Sequence, residues 1–206
     1  TPQKDDPNQP THASCLHAPW RRSYMDMLSA QSKAGAPDAP ALPSRDSAAP
    51  PSNNFLRAYW LDPGADETNH VIVRTGREDL TPNRGGMILL NRYPYANGHL
   101  LVALALPRLR LLDYTPEQRA ELWSLTDLAV ELCERTLEPQ GVNVGLNQGA
   151  AAGAGVPEHV HVHVVPRWSG DVNFMSAVGN VRVIPSALED MALRYRDVWN
   201  TLRPTA

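Results

Sequence analysis

The stretch His159-Val160-His161-Val162-His163, continued by Val164 and Val165, constrains this chain more than any other. Strict alternation of a branched apolar residue with a polar one has the two-residue period of a β-strand, not the 3.6-residue period of a helix. As a strand it sends Val160, Val162 and Val164 into a core and sets His159, His161 and His163 together on the opposite face. The chain is therefore expected to build a sheet with one apolar face and three imidazoles on the other.

Three uses of that face are open. The histidines could be the polar half of a solvent-facing strand. They could hold a metal, since His-x-His on a strand is a common ligand pair. The outer two residues, however, sit about 13 Å apart at about 3.3 Å per residue. Zinc needs each nitrogen within about 2.1 Å, so two rings could share an ion and hardly all three. The third use is phosphate chemistry. A neutral imidazole, with an ordinary pKa of about 6.5, is a nucleophile at physiological pH, and its attack on phosphorus gives a phosphoramidate that a second acceptor displaces. His161 would then attack, while its neighbours donate hydrogen bonds to phosphate oxygens or to the leaving group. Just upstream, Gly149, Gly153 and Gly155 punctuate a loop whose backbone N–H groups could approach an anion. Taken alone that loop reads as a flexible turn, because it lacks the Gly-Lys-Ser/Thr ending of a P-loop and opens no helix.

The remaining sequence supplies what such a sheet needs. Runs at His70 to Arg74 (HVIVR), Met87 to Asn91 (MILLN) and His99 to Leu106 (HLLVALAL) are read as strands joined by turns. Thr115 can cap a helix, Pro116 suits its first position and Gln118 completes a capping box. Leu122, Leu125, Ala129 and Leu132 recur at helical spacing, which predicts an amphipathic helix over residues 116–137. A strand around Val142 to Asn147 follows, then the glycine loop, then the histidine strand with a stop at Pro166. Ser186 to Glu189 form a second capping box opening a helix to about Leu202, with Leu188, Met191, Tyr195 and Leu202 on one side. The expected fold class is α+β: a mainly antiparallel sheet, a long helix after the first strands and a C-terminal helix.

Residues 53–206 are expected to form the catalytic domain and 1–52 a largely flexible extension. Within the extension, residues 1–14 are polar and residues 31–52 are dominated by Ala, Pro and Ser, so neither buries enough apolar surface to offset ordering. Segment 16–28, with Trp20, Tyr24, Met25 and Leu28, could dock on the domain. A formal net charge of -3 lacks the basic excess of a nucleic-acid binder. The two cysteines, Cys15 and Cys133, offer neither a disulfide framework nor a cysteine zinc site. No apolar run reaches the roughly 18 residues that span a bilayer, and TPQKDDPNQP has no hydrophobic signal core. A soluble, cytoplasmic protein without membrane or nucleic-acid partner, cofactor or metal is expected.

The run His159-Val-His161-Val-His163-Val-Val matches the H-φ-H-φ-H-φ-φ signature of the histidine triad family, and the chain resembles its bacterial dinucleoside polyphosphate hydrolase and phosphorylase branch, related to the fragile histidine triad proteins. Leu90-Asn91-Arg92-Tyr93-Pro94-Tyr95-Ala96-Asn97-Gly98-His99 resembles the family's first sheet turn. Asn147-Gln148-Gly149 with Ala152 to Pro157 resembles its phosphate loop, and Pro166 to Phe174 the bacterial segment after the triad. Ala18-Pro19-Trp20-Arg21 is similar to an N-terminal motif of those proteins. The resemblance covers roughly residues 54–203 plus that island.

The resemblance implies that His161 attacks the α-phosphate of a nucleotide to form a nucleotidyl-histidine. It implies that His159 and His163 orient and polarise the phosphates and that His99 supports the triad from the neighbouring strand. Asn91 would lie near the ribose, either Asn147 or Gln148 would contact phosphate, and Gly149, Gly153 and Gly155 would shape the loop. The implied partners are a dinucleoside polyphosphate, such as diadenosine tetraphosphate, and a second copy in a homodimer. Water or phosphate would complete the cleavage, and the segment around Trp168 and Asp171 favours phosphate. Hydrolysis of a nucleoside phosphoramidate, another nucleotidyl transfer, and a non-catalytic nucleotide sensor are the alternatives. One departure stands out. Many bacterial relatives hold a structural zinc with Cys-x-x-Cys, a histidine after the Gly-His turn and the first triad histidine. Here the matching positions read Asn53-Asn54-Phe55-Leu56 and Pro107, so no zinc is expected.

Overall fold

The computed structural model describes residues 54–76, 84–171 and 184–202. The extension 1–52 that was expected to be flexible, the segment 16–28 expected to dock with its Ala18 to Arg21 motif, Cys15, and the end of the post-triad match beyond Asp171 lie outside the described residues. Five strands make one sheet in which every pair is antiparallel. They are β1 Val71–Arg74, β2 Gly86–Leu90, β3 Leu100–Leu104, β4 Gly141–Leu146 and β5 His161–Arg167, in the order β1-β2-β3-β5-β4. Among the described residues three α-helices accompany them: α1 Phe55–Leu61, α2 Pro116–Leu137 and α3 Leu188–Leu202. The fold class is α+β.

Both faces of the sheet are covered, which explains why β2 and β3 are apolar throughout instead of alternating. On one face Val102, Val160, Val162 and Val164 pack with Leu122, Leu125, Ala129 and Leu132 of α2 and with Met191 and Tyr195 of α3. On the other, Leu101 and Ala103 meet Leu56 and Trp60 of α1. The alternation of the histidine strand thus puts its valines under the long helix and its histidines on the α1 side. Helix α2 spans the expected residues. Its capping box is formed, with Thr115 Oγ1 accepting from Gln118 N at 3.3 Å and Gln118 Oε1 accepting from Thr115 N at 3.0 Å.

Three expectations need correction. The expected elements began with a strand at His70, whereas helix α1 precedes it, with the Arg57 N–H of its first turn capped by Asn54. The histidine strand enters the ladder at His161 and does not stop at Pro166. Pairing of β3 with β5 ends at Val164, so beyond it β5 pairs with β4 alone, and a residue without an N–H is tolerated on the vacated side. The first strand begins at Val71, because His70 holds a left-handed conformation with φ 52°.

The turn before β3 is set by Gly98, at φ 78°. A Cβ there would collide with Leu137 and lie 2.9 Å from the Tyr195 hydroxyl, which donates to the Gly98 carbonyl at 2.7 Å. Both long helices therefore brace the turn that delivers His99. No helix among the described residues is long and apolar enough to cross a membrane.

Candidate active site

A cleft of about 470 Å³ opens where α1, the turn after β2 and β5 meet, within the usual range for a small-molecule site. Phe55 and Tyr59, one helical turn apart with ring centroids at 5.3 Å, form its aromatic side. Asn91 and Arg92 come from the turn after β2, Gly153 and Gly155 from the glycine loop, and His161 and His163 form the chemical wall. A shallower groove adjoins it on the far side of His163 and Tyr95, lined by Asn147 and residues of β4.

The hydrogen bonds of the rings fix which nitrogen carries a proton. His161 Nδ1 lies 2.8 Å from the His159 carbonyl, which only accepts; Nδ1 is the protonated nitrogen and Nε2 carries the lone pair. At the other end, the Tyr95 backbone N–H donates to His99 Nδ1 at 3.0 Å, and the Asn91 amide lies 3.3 Å from the same atom. His99 Nδ1 is therefore an acceptor, so Nε2–H donates to His163 Nδ1 at 3.0 Å. His163 is left with a proton on Nε2. The rings of His161 and His163 stand 4.9 Å apart, presenting a lone pair and a donor side by side. Tyr95 stacks on His163 at 5.6 Å with planes 15° apart.

Burial keeps these rings uncharged. It holds the His161 pKa below the ordinary histidine value, and together with the neighbouring His161 it pushes His163 down to about 4. His159 is likewise pushed down to about 4, chiefly by burial. Neutral, His161 is a nucleophile across the physiological range.

Of the residues expected from sequence, His161, His163, Asn91, Gly153 and Gly155 converge on the cleft. His99 is fully buried behind His163. His159 is fully buried too and lines neither cavity, its Nε2 lying 2.9 Å from the Leu104 carbonyl and its Nδ1 3.1 Å from Asn54 Oδ1. Asn147 lies in the groove beside His163. Gln148 Oε1 instead accepts from Leu111 N at 2.8 Å, tying the loop to the segment before α2. Gly149 is outside both linings, yet with φ 84° it starts the turn in which its carbonyl accepts from Ala152 and Ala154. The post-triad segment is braced by the Asp171 carboxylate, which accepts two hydrogen bonds from Arg167 at 2.6 and 2.8 Å and whose pKa the arginine holds at about 2.

Phe55, Tyr59, His70, Tyr93 and Tyr95 were not foreseen from sequence. The aromatic pair had a signal: Asn54 as cap, followed by Phe55 and Tyr59 at i and i+4. His70 lines the cleft beside Asn69, with its pKa lowered by burial.

A family model for the HIT domain matches residues 83–170. The AP-4-A phosphorylase of Mycobacterium tuberculosis (strain ATCC 25618 / H37Rv) is 36% identical over 186 residues, covering 89% of this chain and 83% of that protein. The asymmetrical bis(5'-nucleosyl)-tetraphosphatase of Schizosaccharomyces pombe is 36% identical over 84 residues, 40% of this chain and 44% of that protein. Among solved structures, a zinc-bound histidine triad family protein from Mycobacterium smegmatis superposes with a TM-score of 0.53 at 24% identity, covering 70% of this chain and 94% of that one.

Proposed function

Since the chain belongs to the histidine triad family, we propose that it is an enzyme cleaving dinucleoside polyphosphates such as diadenosine tetraphosphate through a nucleotidyl-histidine on His161. The observation that carries this reading is the proton arrangement of the cleft wall: a lone pair on His161 Nε2 beside a donor on His163 Nε2. Nucleophilic attack needs the first, and a phosphate oxygen or leaving group accumulating charge needs the second. The His161 Nε2 lone pair forms a bond to the α-phosphorus as the bond from that phosphorus to the bridging oxygen breaks. The leaving nucleoside polyphosphate departs with that bond's electrons, and an acceptor oxygen then displaces the imidazole. Phe55 and Tyr59 offer an apolar wall to a base, and Asn91, lining the same cleft, would meet the ribose. Asn147 is the amide for the phosphates, because it lines the groove beside His163, whereas the Gln148 side chain is tied to Leu111 N and lines neither cavity. His159 and His99 act through the rings they orient.

Phosphate is the acceptor we favour over water, because the relative aligned over most of the chain is a phosphorylase. Incubation of diadenosine tetraphosphate with labelled phosphate is expected to yield labelled ADP together with ATP. A product set of AMP and ATP that phosphate does not alter would leave hydrolysis in its place.

The reading includes a cytoplasmic setting, where nucleotides are held, and a homodimer. Strand β4 pairs only with β5 among the described residues, and Asn143, Val144 and Gly145 are exposed, so its outer edge could receive a second copy. Light scattering after size exclusion is expected to give twice the mass of one chain; a single-chain mass over the micromolar range removes the dimer.

A further inference from the structure

Helix α1 supplies the aromatic side of the cleft, yet it is only seven residues long, too short to be stable on its own. What holds it in place is specific. Leu56 is fully buried against the sheet, and Arg57 donates through its guanidinium to the Ala105 carbonyl at 2.6 Å. The third anchor is Asn54. Its side chain is 4% exposed, and Oδ1 lies 2.9 Å from Arg57 N, as a helix cap, and 3.1 Å from Nδ1 of His159, 105 residues away.

His159 has acceptors on two sides, Leu104 O and Asn54 Oδ1, but a buried neutral imidazole has one N–H to give. The Asn54 amide cannot turn over to offer Nδ2 without setting it against the Arg57 N–H, so in this arrangement both neighbours of the ring accept, and its one proton serves Leu104 or Asn54 according to tautomer. An amide oxygen is suited to this place because it has one lone pair for Arg57 N and another for the Nδ1–H form of the ring. A zinc ion does not fit the same place. Among the described residues no three His, Cys, Asp or Glu side chains gather to hold a metal, and both ring nitrogens of His159 already face protein groups, a carbonyl and an amide.

We propose that Asn54 is a positioning residue for the reaction, its amide latching His159 to the start of α1 in place of a metal. The same residue that receives the latch also presents, through its carbonyl, the acceptor that sets the His161 tautomer. One latch thus aligns the nucleophile with the aromatic wall of the cleft. The proposal is independent of which dinucleotide is cleaved, and only its kinetic arm rests on His161 being the nucleophile.

Asn54→Ser separates the two tasks of this residue, because a hydroxyl can cap Arg57 N but is too short to reach His159. The full chain, labelled with ¹⁵N at its histidines, is expected to show a single Nδ1–H tautomer for His161. In Asn54→Ser that signal is expected to become a mixture, with kcat reduced about ten- to hundredfold, as for a small displacement of a reacting group. Asn54→Ala, which loses the cap as well, should show the same tautomer mixture and a lower Tm. If Asn54 were merely a cap, Asn54→Ser would keep the native tautomer and kcat, and that result overturns the latch. Altered ring signals with undiminished kcat would support the latch and count against His161 as the nucleophile. Dialysis against a zinc chelator is expected to leave Tm and the histidine spectrum unchanged, and a chelator-induced fall in Tm would also overturn the proposal.

Discussion

His161→Ala protein, mixed with a dinucleoside tetraphosphate labelled at its α-phosphates and quenched within milliseconds, is expected to carry no label, with kcat lower by about four orders of magnitude or more. The wild-type chain under the same quench should carry acid-labile label on one histidine. The size of the loss follows from the arrangement of the rings. His163 presents an N–H where His161 presents a lone pair, so it cannot take over the attack without reversing the tautomer that His99 imposes. The fold is expected to survive the substitution, because the His161 ring lines the cleft wall and its Nδ1 bond runs to a backbone carbonyl only two residues away. Label trapped on the His161→Ala protein would dismiss this residue as the nucleophile.

The second large effect is on stability in acid. An unfolded histidine titrates near 6.5, whereas in the folded chain His159 and His163 are held at about 4. Between those values the unfolded chain binds more protons than the folded one, so stability rises with pH across this window and is lost as pH falls from about 6.5 towards 4. A shift of that size on the fully buried His159 corresponds to about 3 kcal/mol at the acid end. His163 adds less because solvent reaches part of it, and His161 and His70 act in the same direction. Asp171 does not contribute in this window, since its pKa is lowered and its titration lies below 4. Urea midpoints at pH 7, 5.5 and 4.5 should therefore decline steeply while activity at saturating substrate persists below pH 6.5, because His161 stays neutral. Equal midpoints at the three values would refute the neutral, buried state of these rings.

Much of this was legible in the sequence, and the reasons are local. Helix α2 carries its own start signal and enough turns for the apolar period to repeat, so residues 116–137 could be read without knowing what they pack on. The histidine alternation likewise assigned both faces of β5. What was not legible depends on distant partners. Helix α1 has too few residues for a period to register, and the residue that caps it is also held by a histidine at the far end of the domain. Pro166 reads as a stop until the neighbouring strand is known to have ended two residues earlier. No spacing within the loop reveals that the Gln148 side chain is tied to the backbone N–H of Leu111 while Asn147 lines the groove beside His163. His159 looked equivalent to its two neighbours by alternation, and only the position of Leu104 and Asn54 separates it from the cleft.

The polarity of the reaction, which nitrogen gives and which receives, is written in main-chain atoms at both ends: the amide of Tyr95 and the carbonyl of His159. Neither belongs to a side chain. Drift in the identity of residue 95 would therefore leave the proton wiring as it is, so long as proline does not arise there and remove the N–H. The aromatic ring that now stacks on His163 can be exchanged to suit a different substrate while the tautomers stay put. In the proposed reading the two cleft tautomers thus rest on main-chain atoms, one of them relayed through the His99 ring, while the stacked ring at position 95 is free to differ.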